Sequence, residues 1–284
     1  MRRATPIPPP QAIWLWTVVM GLLLLGSDSP LATAATRLRL GATTTIDNSG
    51  LLQHLLAPFE QYARAKVHVV VGGTGQVLKF GQQGDVDVVW VHAPQAEAAF
   101  VQAGFGEKRH RVMTNDFVLI GPSRDPAGVR GQPTAVQALR RIAAQRAVFI
   151  SRGDESGTHQ KERALWRAAS LTPANQGWYL EVGQGMGATI QIANTKQAYT
   201  LVDRGTYLAY NASLQLVIVH EGDPVYANPY HVIAVNPQRH PHVNHELAMT
   251  FIHWLISPQA QFRIGSYRKQ GQVLFRPGAQ PQSP

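Results

Sequence analysis

Short apolar runs alternate along this chain with longer stretches in which apolar residues recur every three or four positions. The runs at 67–71 and 147–150 are rich in valine, isoleucine and phenylalanine, which is typical of buried β-strands. The stretch at 51–59 places leucines and a phenylalanine on one helical face. Strands that alternate with helices in this way predict an α/β protein with mainly parallel sheets, whose ligands bind beyond the carboxyl ends of the strands.

The same patterns predict the individual elements. The predicted strands are 38–42, 67–71, 86–91, 115–120, 147–150, 178–182, 214–219 and 230–235. The predicted helices are 51–59, 76–80, 94–103, 134–144, 160–167, 188–193, 196–204, 242–256 and 258–268. Pro58 lies inside the first helical pattern and is expected to kink or shorten that helix.

The amino-terminal segment has the three parts of a secretory signal peptide. A basic start, Met1-Arg2-Arg3, precedes an apolar stretch at 12–26 and the small-residue sequence Ala32-Thr33-Ala34. A membrane anchor is the alternative, but the apolar stretch is short for a membrane span. We therefore expect residues 1–34 to be a signal peptide cleaved near Ala34, and the mature protein to be periplasmic. The Pro- and Gln-rich residues 277–284 are expected to form a loose tail.

Composition narrows the chemistry further. The chain of 284 residues has no cysteine, which excludes thiolate metal sites, a cysteine nucleophile and a lipid-bearing cysteine. Its net charge of +9 either attracts anions or reflects a generally basic surface. The basic residues are scattered and the chain is predicted to be exported, so nucleic acid is not an expected partner.

Three predicted strand-to-helix turns are rich in hydroxyl residues and glycine. They lie at 43–50, 72–76 and 151–159, and the third also contains Arg152. Backbone N–H groups at the start of a helix have no partner within the helix, and the helix dipole favours negative charge there. These turns are therefore candidates for binding an oxyanion, although such residues also occur in turns simply to cap helices.

The third turn also contains the residue types of a hydrolase triad. Ser151 or Ser156 could be the nucleophile, with His159 as the base and Asp154 as the orienting carboxylate. Their crowding into one turn disfavours the required geometry, and no Gly-x-Ser-x-Gly sequence is present. The glycines at 72–76 lack the spacing of a dinucleotide-binding loop and have no phosphate-loop lysine pattern.

Two further groups of residues have competing interpretations. His240, His242 and His245 are close in sequence, but solvated histidines are a better interpretation than a metal site. Tyr199 and Asp203 are one turn apart in the predicted helix at 196–204. They either face the site or are a packed tyrosine and a solvated aspartate.

Several motifs together resemble one known family. The segments 43–45, 73–79, 91–94, 115–118, 151–159 and 196–201 follow one another in the order found in that family. The chain in this respect resembles the periplasmic tungstate-binding proteins of bacterial ABC-type uptake systems. These belong to the type II periplasmic binding proteins, which also bind molybdate, sulfate and phosphate.

The resemblance implies a two-lobed fold, each lobe a mainly parallel sheet flanked by helices, that closes over one ligand. Lobe one would contain residues 36–121 and 217–276, and lobe two residues 122–216. The protein would capture tungstate, or molybdate, and deliver it to the permease of an ABC transporter. It would be a monomer and not an enzyme, with no catalytic residues, metal or cofactor.

The resemblance also implies the ligand-binding residues. Carried over motif by motif, they are Thr43, Thr44, Thr45, Thr74, Gly75, Ser151, Arg152, Ser156, Gly157 and Thr158. Family members often have a serine after the threonine run, whereas this chain has Ile46, so one hydroxyl donor is missing there.

Selectivity among oxyanions depends on Asp154. Phosphate retains a proton near neutral pH and benefits from an acceptor carboxylate, whereas tungstate and molybdate are fully ionised and would be repelled by one. An Asp154 that points into the site would favour phosphate, and one that caps the helix or pairs with Arg152 would favour tungstate. A phosphate-binding or other oxyanion-binding transport protein is therefore the alternative, and an exported serine hydrolase is a more distant one.

Overall fold

The computed structural model describes residues 36–278. The predicted signal peptide and the last six residues of the predicted tail lie outside this range. Between residues 36 and 278, no helix is both long enough and apolar enough to cross a membrane.

Twelve strands and ten α-helices occur in this range. The strands are β1 Arg37–Thr43, β2 Lys66–Gly72, β3 Val88–Val91, β4 His110–Pro122, β5 Phe149–Ser151, β6 Tyr179–Glu181, β7 Thr200–Asp203, β8 Leu216–His220, β9 Ala227–Ala234, β10 Arg268–Lys269, β11 Gln272–Val273 and β12 Arg276–Pro277. The helices are α1 Thr44–Ser49, α2 Leu51–Ala63, α3 Thr74–Gln83, α4 Pro94–Gln102, α5 Ala135–Ala144, α6 Gly157–Ala168, α7 Met186–Lys196, α8 Arg204–Tyr210, α9 His245–Leu255 and α10 Pro258–Ser266.

The long strand β4 joins two parts of the main sheet. Its residues 110–116 pair with β9 in the order β4-β9-β3-β1-β2, and its residues 117–122 pair with β7 and β8. The pairs β1–β2, β1–β3 and β5–β6 are parallel, as expected. All pairs made by β4, and the pair β3–β9, are antiparallel, so the sheets are mixed rather than mainly parallel. The strands that precede the three candidate turns belong to the parallel pairs.

Three apolar clusters hold these elements together. The largest lies under β1 and β3 and contains Phe59, Trp90 and Phe251, with the rings of Phe59 and Phe251 4.8 Å apart. A second is built around Phe149 and Trp166, whose rings are 5.2 Å apart, and the third packs on the other face of β1 and β3. Burial of the side chains in these clusters stabilises the folded protein through the hydrophobic effect.

Ile46 belongs to the largest of these clusters and is fully buried. The side chain that replaces the family's hydroxyl residue therefore packs into the core of the protein. Its role here is apolar packing beneath α1.

The helix predicted at 196–204 is wrong. Helix α7 ends at Lys196, Gln197 has a left-handed backbone with φ of 47°, and β7 follows at Thr200–Asp203. The segment contains β-branched residues and pairs with β4, with Leu201 opposite Leu119, so sheet pairing decides its conformation. Tyr199 and Asp203 therefore do not lie one helical turn apart.

Pro58 does not shorten α2, which continues to Ala63. Proline removes one backbone N–H, and the carbonyl of His54 that would have accepted it is on an exposed part of the helix. Water can bind that carbonyl, while Phe59 stays in the core.

Tyr199 supports a prediction about stability. Its buried hydroxyl donates to Asp125 Oδ1 at 2.7 Å and accepts from the backbone N–H of Ala127 at 2.9 Å. Tyr199→Phe leaves that buried N–H without a partner, so it should lower the free energy of unfolding by about 1–3 kcal/mol. Urea denaturation measures this. Tyr62→Phe, at a side chain that is 64% exposed, is the matched control and should leave the free energy nearly unchanged.

Candidate oxyanion-binding site

The three candidate turns meet at one place. Parallel pairing puts Thr43 beside Gly72, so the turns after β1 and β2 are neighbours at the carboxyl edge of the sheet. Arg152 Nη2 lies 3.5 Å from Thr44 Oγ1, which joins the third turn to the first. A methyl group placed on Gly73 would lie 3.6 Å from Ser156 Cβ, which joins the second turn to the third. We call the space between them the cleft.

All three turns contribute buried hydroxyl groups that lack an internal partner. Thr43, Thr74 and Thr158 are 1%, 1% and 0% exposed. Within residues 36–278, the Oγ1 atoms of all three have no hydrogen-bond partner. Burying a hydroxyl without a partner costs about 1–3 kcal/mol, so folded proteins rarely do it. Three such groups on converging turns are suited to a ligand that accepts hydrogen bonds.

Two helix starts add backbone donors. Helix α3 begins after Gly73, which has no side chain to cap it, and α6 begins after Ser156, whose Oγ accepts from the backbone N–H of His159 at 3.3 Å. Apart from the N–H of His159, the N–H groups of the first turn of each helix can donate to an anion, and the dipole of each helix favours negative charge there. Of the predicted residues, Gly157 is buried at the start of α6, whereas Gly75 is exposed at the rim.

Arg152 supplies the positive charge and is 2% exposed. Its Nε donates to Asp154 Oδ2 at 2.8 Å, and the backbone N–H of Ser156 donates to Asp154 Oδ1 at 3.1 Å. Asp154 therefore both pairs with the arginine and caps the turn before α6. This carboxylate orients the guanidinium, which extends across the cleft toward Thr44.

Glu162, which the sequence did not single out, lies beneath this loop. Its Oε1 accepts from the hydroxyl of Tyr179 at 2.6 Å and from Trp166 Nε1 at 3.2 Å. Burial raises the pKa of Glu162 to about 7, although hydrogen bonds from Tyr179, Ser151, Trp166 and the Arg152 backbone oppose the rise. Ser151 therefore lies against this carboxylate. The spacing of Glu162 and Trp166, one helical turn apart, was the only signal in the sequence.

A buried polar chain connects the cleft to the centre of the sheet. His92 Nε2 is 3.2 Å from Thr45 Oγ1, and His92 Nδ1 is 3.0 Å from Asn228 Oδ1, while Asn228 Nδ2 donates to Asn115 Oδ1 at 2.8 Å. Burial lowers the pKa of His92 to about 4, so the ring is neutral near pH 7. Because Asn228 Oδ1 can only accept, Nδ1 carries the ring proton and Nε2 accepts from the hydroxyl of Thr45. Thr45 thus donates into the protein in this structure.

His92 also sets how closely the start of α6 approaches β3. A methyl group on Gly157 would lie 2.8 Å from His92 Cε1 and 3.0 Å from the His92 carbonyl oxygen. No side chain larger than hydrogen fits there unless the two segments move apart. The sequence contains Gly157 and His92 within the motifs noted above but does not reveal this contact.

A fourth strand-to-helix turn, from β7 into α8, was missed because helix was predicted there. Asp203 is fully buried and caps α8, with Oδ1 accepting from the backbone N–H of Thr206 at 2.9 Å. Burial raises the pKa of Asp203 to about 6, while Thr206 and then the charge of Arg152 lower it. Asp203 therefore lies within electrostatic range of the cleft. Tyr199 does not, because its hydroxyl is bound to Asp125.

The third turn does not form a hydrolase triad. His159 Nδ1 accepts from the backbone N–H of Glu155 at 3.1 Å, and Asp154 is bound to Arg152. Ser156 Oγ is bound to the backbone of His159 rather than to its ring. The imidazole is thus neither placed to deprotonate Ser156 nor oriented by Asp154.

The carboxyl-terminal histidines have structural contacts. His240 Nε2 and His242 Nε2 donate to the carbonyl oxygens of Gln82 and Gly84, both at 2.9 Å, and so bind the end of α3. Residues 36–278 contain no group of three or more His, Cys, Asp and Glu side chains that could hold a metal.

The sequence of this chain is similar to those of known anion-binding transport proteins. The sequence profile of the PBP superfamily domain matches residues 30–259. The tungstate-binding protein TupA of Peptoclostridium acidaminophilum is 45% identical over 244 residues, which cover 84% of this chain and 85% of the relative. A putative ABC transporter anion-binding protein of Haloferax volcanii is 43% identical over 252 residues, 87% of this chain and 73% of the relative.

Solved structures of tungstate-binding proteins are also similar to this chain. The tungstate-binding protein TupA of Desulfovibrio alaskensis G20 is 46% identical with a TM-score of 0.77, over 87% of this chain and all of that chain. The tungstate ABC transporter structure from Geobacter sulfurreducens is 50% identical with a TM-score of 0.76, over 81% of this chain and 98% of that chain. The α/β fold class and the family resemblance predicted from the motifs are confirmed.

Glu162 supports a prediction about pH dependence. The folded protein binds a proton at Glu162 up to about pH 7, whereas the unfolded chain releases it near the ordinary value of 4.5. Between these two values the folded state holds more protons, so the free energy of unfolding contributed by this group falls as pH rises. The full difference is about 3 kcal/mol.

Glu162→Gln cannot titrate and should therefore flatten this dependence. The free energy of unfolding of the variant, relative to that of the natural protein, should therefore become larger as pH rises from about 5 to 8. Urea denaturation at several pH values measures the slope. Glu246→Gln, at an exposed position on α9, is the control and should keep the natural slope. Identical slopes for Glu162→Gln and the natural protein would contradict the interpretation.

Proposed function

We propose that this chain, which belongs to the PBP superfamily and within it to the family of these tungstate-binding relatives, captures tungstate in the cleft and delivers it to the permease of an ABC transporter. Molybdate, an oxyanion of the same shape and charge, is a second ligand in the proposal. Since the relatives are transport proteins, we propose binding and release without catalysis. The protein would be exported, cleaved near Ala34, and act as a monomer.

One observation carries the proposal. Three buried hydroxyl groups without partners, those of Thr43, Thr74 and Thr158, come from three different turns that meet beside Arg152. A tetrahedral dianion has acceptor oxygens pointing in several directions, so donors on several turns can bind it at once. Hydrogen bonds to an ionised acceptor are about twice as strong as neutral ones.

The proposed ligand-binding set divides by role. Thr43, Thr74 and Thr158 would donate side-chain hydrogen bonds, and Arg152 would supply the opposing charge. The starts of α3 and α6 would supply backbone N–H groups. The remaining members complete the walls of the cleft, and they are Thr44, Thr45, Gly75, Ser151, Ser156 and Gly157.

The position of Asp154 supports tungstate over phosphate. Its two carboxylate oxygens accept from Arg152 Nε and from the backbone N–H of Ser156. These two bonds match the arrangement expected to favour tungstate, in which the carboxylate pairs with Arg152 and caps the turn. Ligands that carry no proton, such as tungstate, gain the oriented arginine without needing that acceptor.

The proposal includes two lobes that move. The cleft lies between β1, β2 and β3 on one side and β5 with α6 on the other. We place the lobes at residues 36–121 with 217–276 and at 122–216, as the family implies. The pairing of β8 with residues 119–122 of β4 supports placing residues 119–121 and 217–220 in the same lobe. Binding would favour the closed arrangement by its differential affinity for it.

Arg152→Ala tests the site. The variant leaves a buried dianion without its counter-charge, so the affinity for tungstate should fall by about 100-fold or more. Isothermal titration calorimetry of the purified protein with sodium tungstate measures this, and sulfate and phosphate titrations measure selectivity. Arg167→Ala removes the same charge from the exposed far end of α6 and should bind as the natural protein does. Tight phosphate binding without tungstate binding would overturn the proposal.

Gly157→Ala tests closure. The added methyl group would clash with His92 in the closed arrangement and leave Arg152 in place, so affinity for tungstate should fall by about tenfold or more. Small-angle scattering should show a smaller decrease in radius of gyration on adding tungstate than in the natural protein. Gly177→Ala is the control, because Gly177 is exposed and a methyl group there would have nothing within 4 Å.

A further inference from the structure

Asp203 is a buried carboxylate beside the cleft that the proposed binding reaction does not use. It is fully buried, and its Oδ2 has no hydrogen-bond partner among residues 36–278. Thr206 donates its backbone N–H to Oδ1 at 2.9 Å, and its hydroxyl lies close enough to lower the carboxyl pKa. An ionised carboxylate in this position is expensive unless a positive charge compensates it.

The position of Asp203 is fixed from two sides. Sheet pairing places it opposite Phe117 on β4. A methyl group on Gly205 would lie 3.2 Å from Asp203 Oδ1 and 3.5 Å from Ser49 Cβ, so the carboxylate lies near α1. Helix α1 begins at Thr44, which contacts Arg152. The ring of Phe117 lies 6.4 Å from that of His92, which contacts Thr45 of the first turn, so the strand pairing places Asp203 close to the cleft.

Other charges around Asp203 are already committed to partners. Arg204 donates to Asp116 and Glu221, both at 2.7 Å, and so turns away from the neighbouring carboxylate. Lys269 Nζ donates to the carbonyl oxygens of Asn48 and Ser49 at the end of α1.

Arg152 is the positive charge that lowers the pKa of Asp203, and the other ionisable groups nearby do not compensate it. Tyr230 is buried and its pKa is raised well above its ordinary value, by burial and then by Asp203. His92 is neutral because burial lowers its pKa to about 4. On neighbouring helices, Asp47 is bound to Gln53 and Lys196 is exposed at the end of α7. Arg152 must therefore serve both Asp154 and Asp203 when the cleft is empty.

We propose that Asp203 takes up a proton when the cleft takes up a fully ionised oxyanion. This inference rests on the proposed function. A dianion beside Arg152 offsets the positive charge that compensates Asp203, and it also repels a second ionised carboxylate. Protonation removes that repulsion: a proton from solution binds Oδ2, and no other bond changes.

The consequence is a pH-dependent affinity. In the empty protein Asp203 is mostly ionised above its pKa of about 6. Binding of a fully ionised oxyanion then takes up a proton, so affinity falls as pH rises, by up to about tenfold per pH unit.

Calorimetry with sodium tungstate tests this in the natural protein. At about pH 7, titrations in buffers of different ionisation enthalpy give the number of protons taken up per ligand, which should approach one. A natural protein that binds tungstate with no proton uptake overturns the inference and leaves the proposed function standing. A protein that does not bind tungstate overturns both.

Two variants test whether Asp203 is the carboxyl group that takes up the proton. Asp203→Asn and Asp203→Ser keep a side-chain oxygen that can cap α8, so the helix start should be retained. Both should bind tungstate without proton uptake, and their affinity should be nearly constant from about pH 6.5 to 8.5. Glu162→Gln, which removes the other nearby carboxyl with a raised pKa, should retain the uptake. Uptake that persists in both Asp203 variants, or disappears only in Glu162→Gln, would overturn the assignment.

Discussion

The burial of hydrogen-bond donors without internal partners is the constraint on which the cleft depends. The hydroxyl groups of Thr43, Thr74 and Thr158 are each removed from water and unpaired within the described part of the chain. Each such group costs about 1–3 kcal/mol, and a flexible loop would rearrange to pair it. The donors remain unpaired because each lies at the junction of a buried strand and a helix, where packing fixes the backbone. A ligand that accepts from all three recovers this cost, which couples affinity to rigidity.

The rigidity comes from polar groups that lie behind the donors. Glu162 holds the loop of Ser151 and Arg152 from below, and Asp154 orients the guanidinium from the side. On the opposite wall, His92 fixes the hydroxyl of Thr45 and is itself held by Asn228. Buried polar networks of this kind favour one arrangement, since a change in one member leaves others unpaired. They also keep the anion donors from turning toward the protein.

The sequence predicted the parts of this structure that depend on local patterns. Strands, helix starts and the hydroxyl-rich turns are visible because apolar periodicity and capping residues act over a few positions. The strand at Thr200–Asp203 was missed because pairing with β4, some 80 residues away, decides its conformation. Glu162 and His92 were missed as site residues for the same reason, and Asp203 was considered only as part of a helix that does not form. Their roles come from burial and from partners distant in sequence, whereas Arg152 was recognisable because its turn contains every relevant residue type.

The distribution of negative charge around the cleft distinguishes it from a general anion trap. Three carboxylates, those of Asp154, Glu162 and Asp203, lie in or near an arrangement that is expected to hold a dianion, and Arg152 is the cation among them. Asp154 pairs directly with Arg152, whereas burial raises the pKa of Glu162 to about 7 and that of Asp203 to about 6. These two groups can therefore bind a proton near neutral pH at little cost in free energy. The net charge that meets the ligand is therefore not fixed by the sequence alone, because the entering anion itself helps to set it.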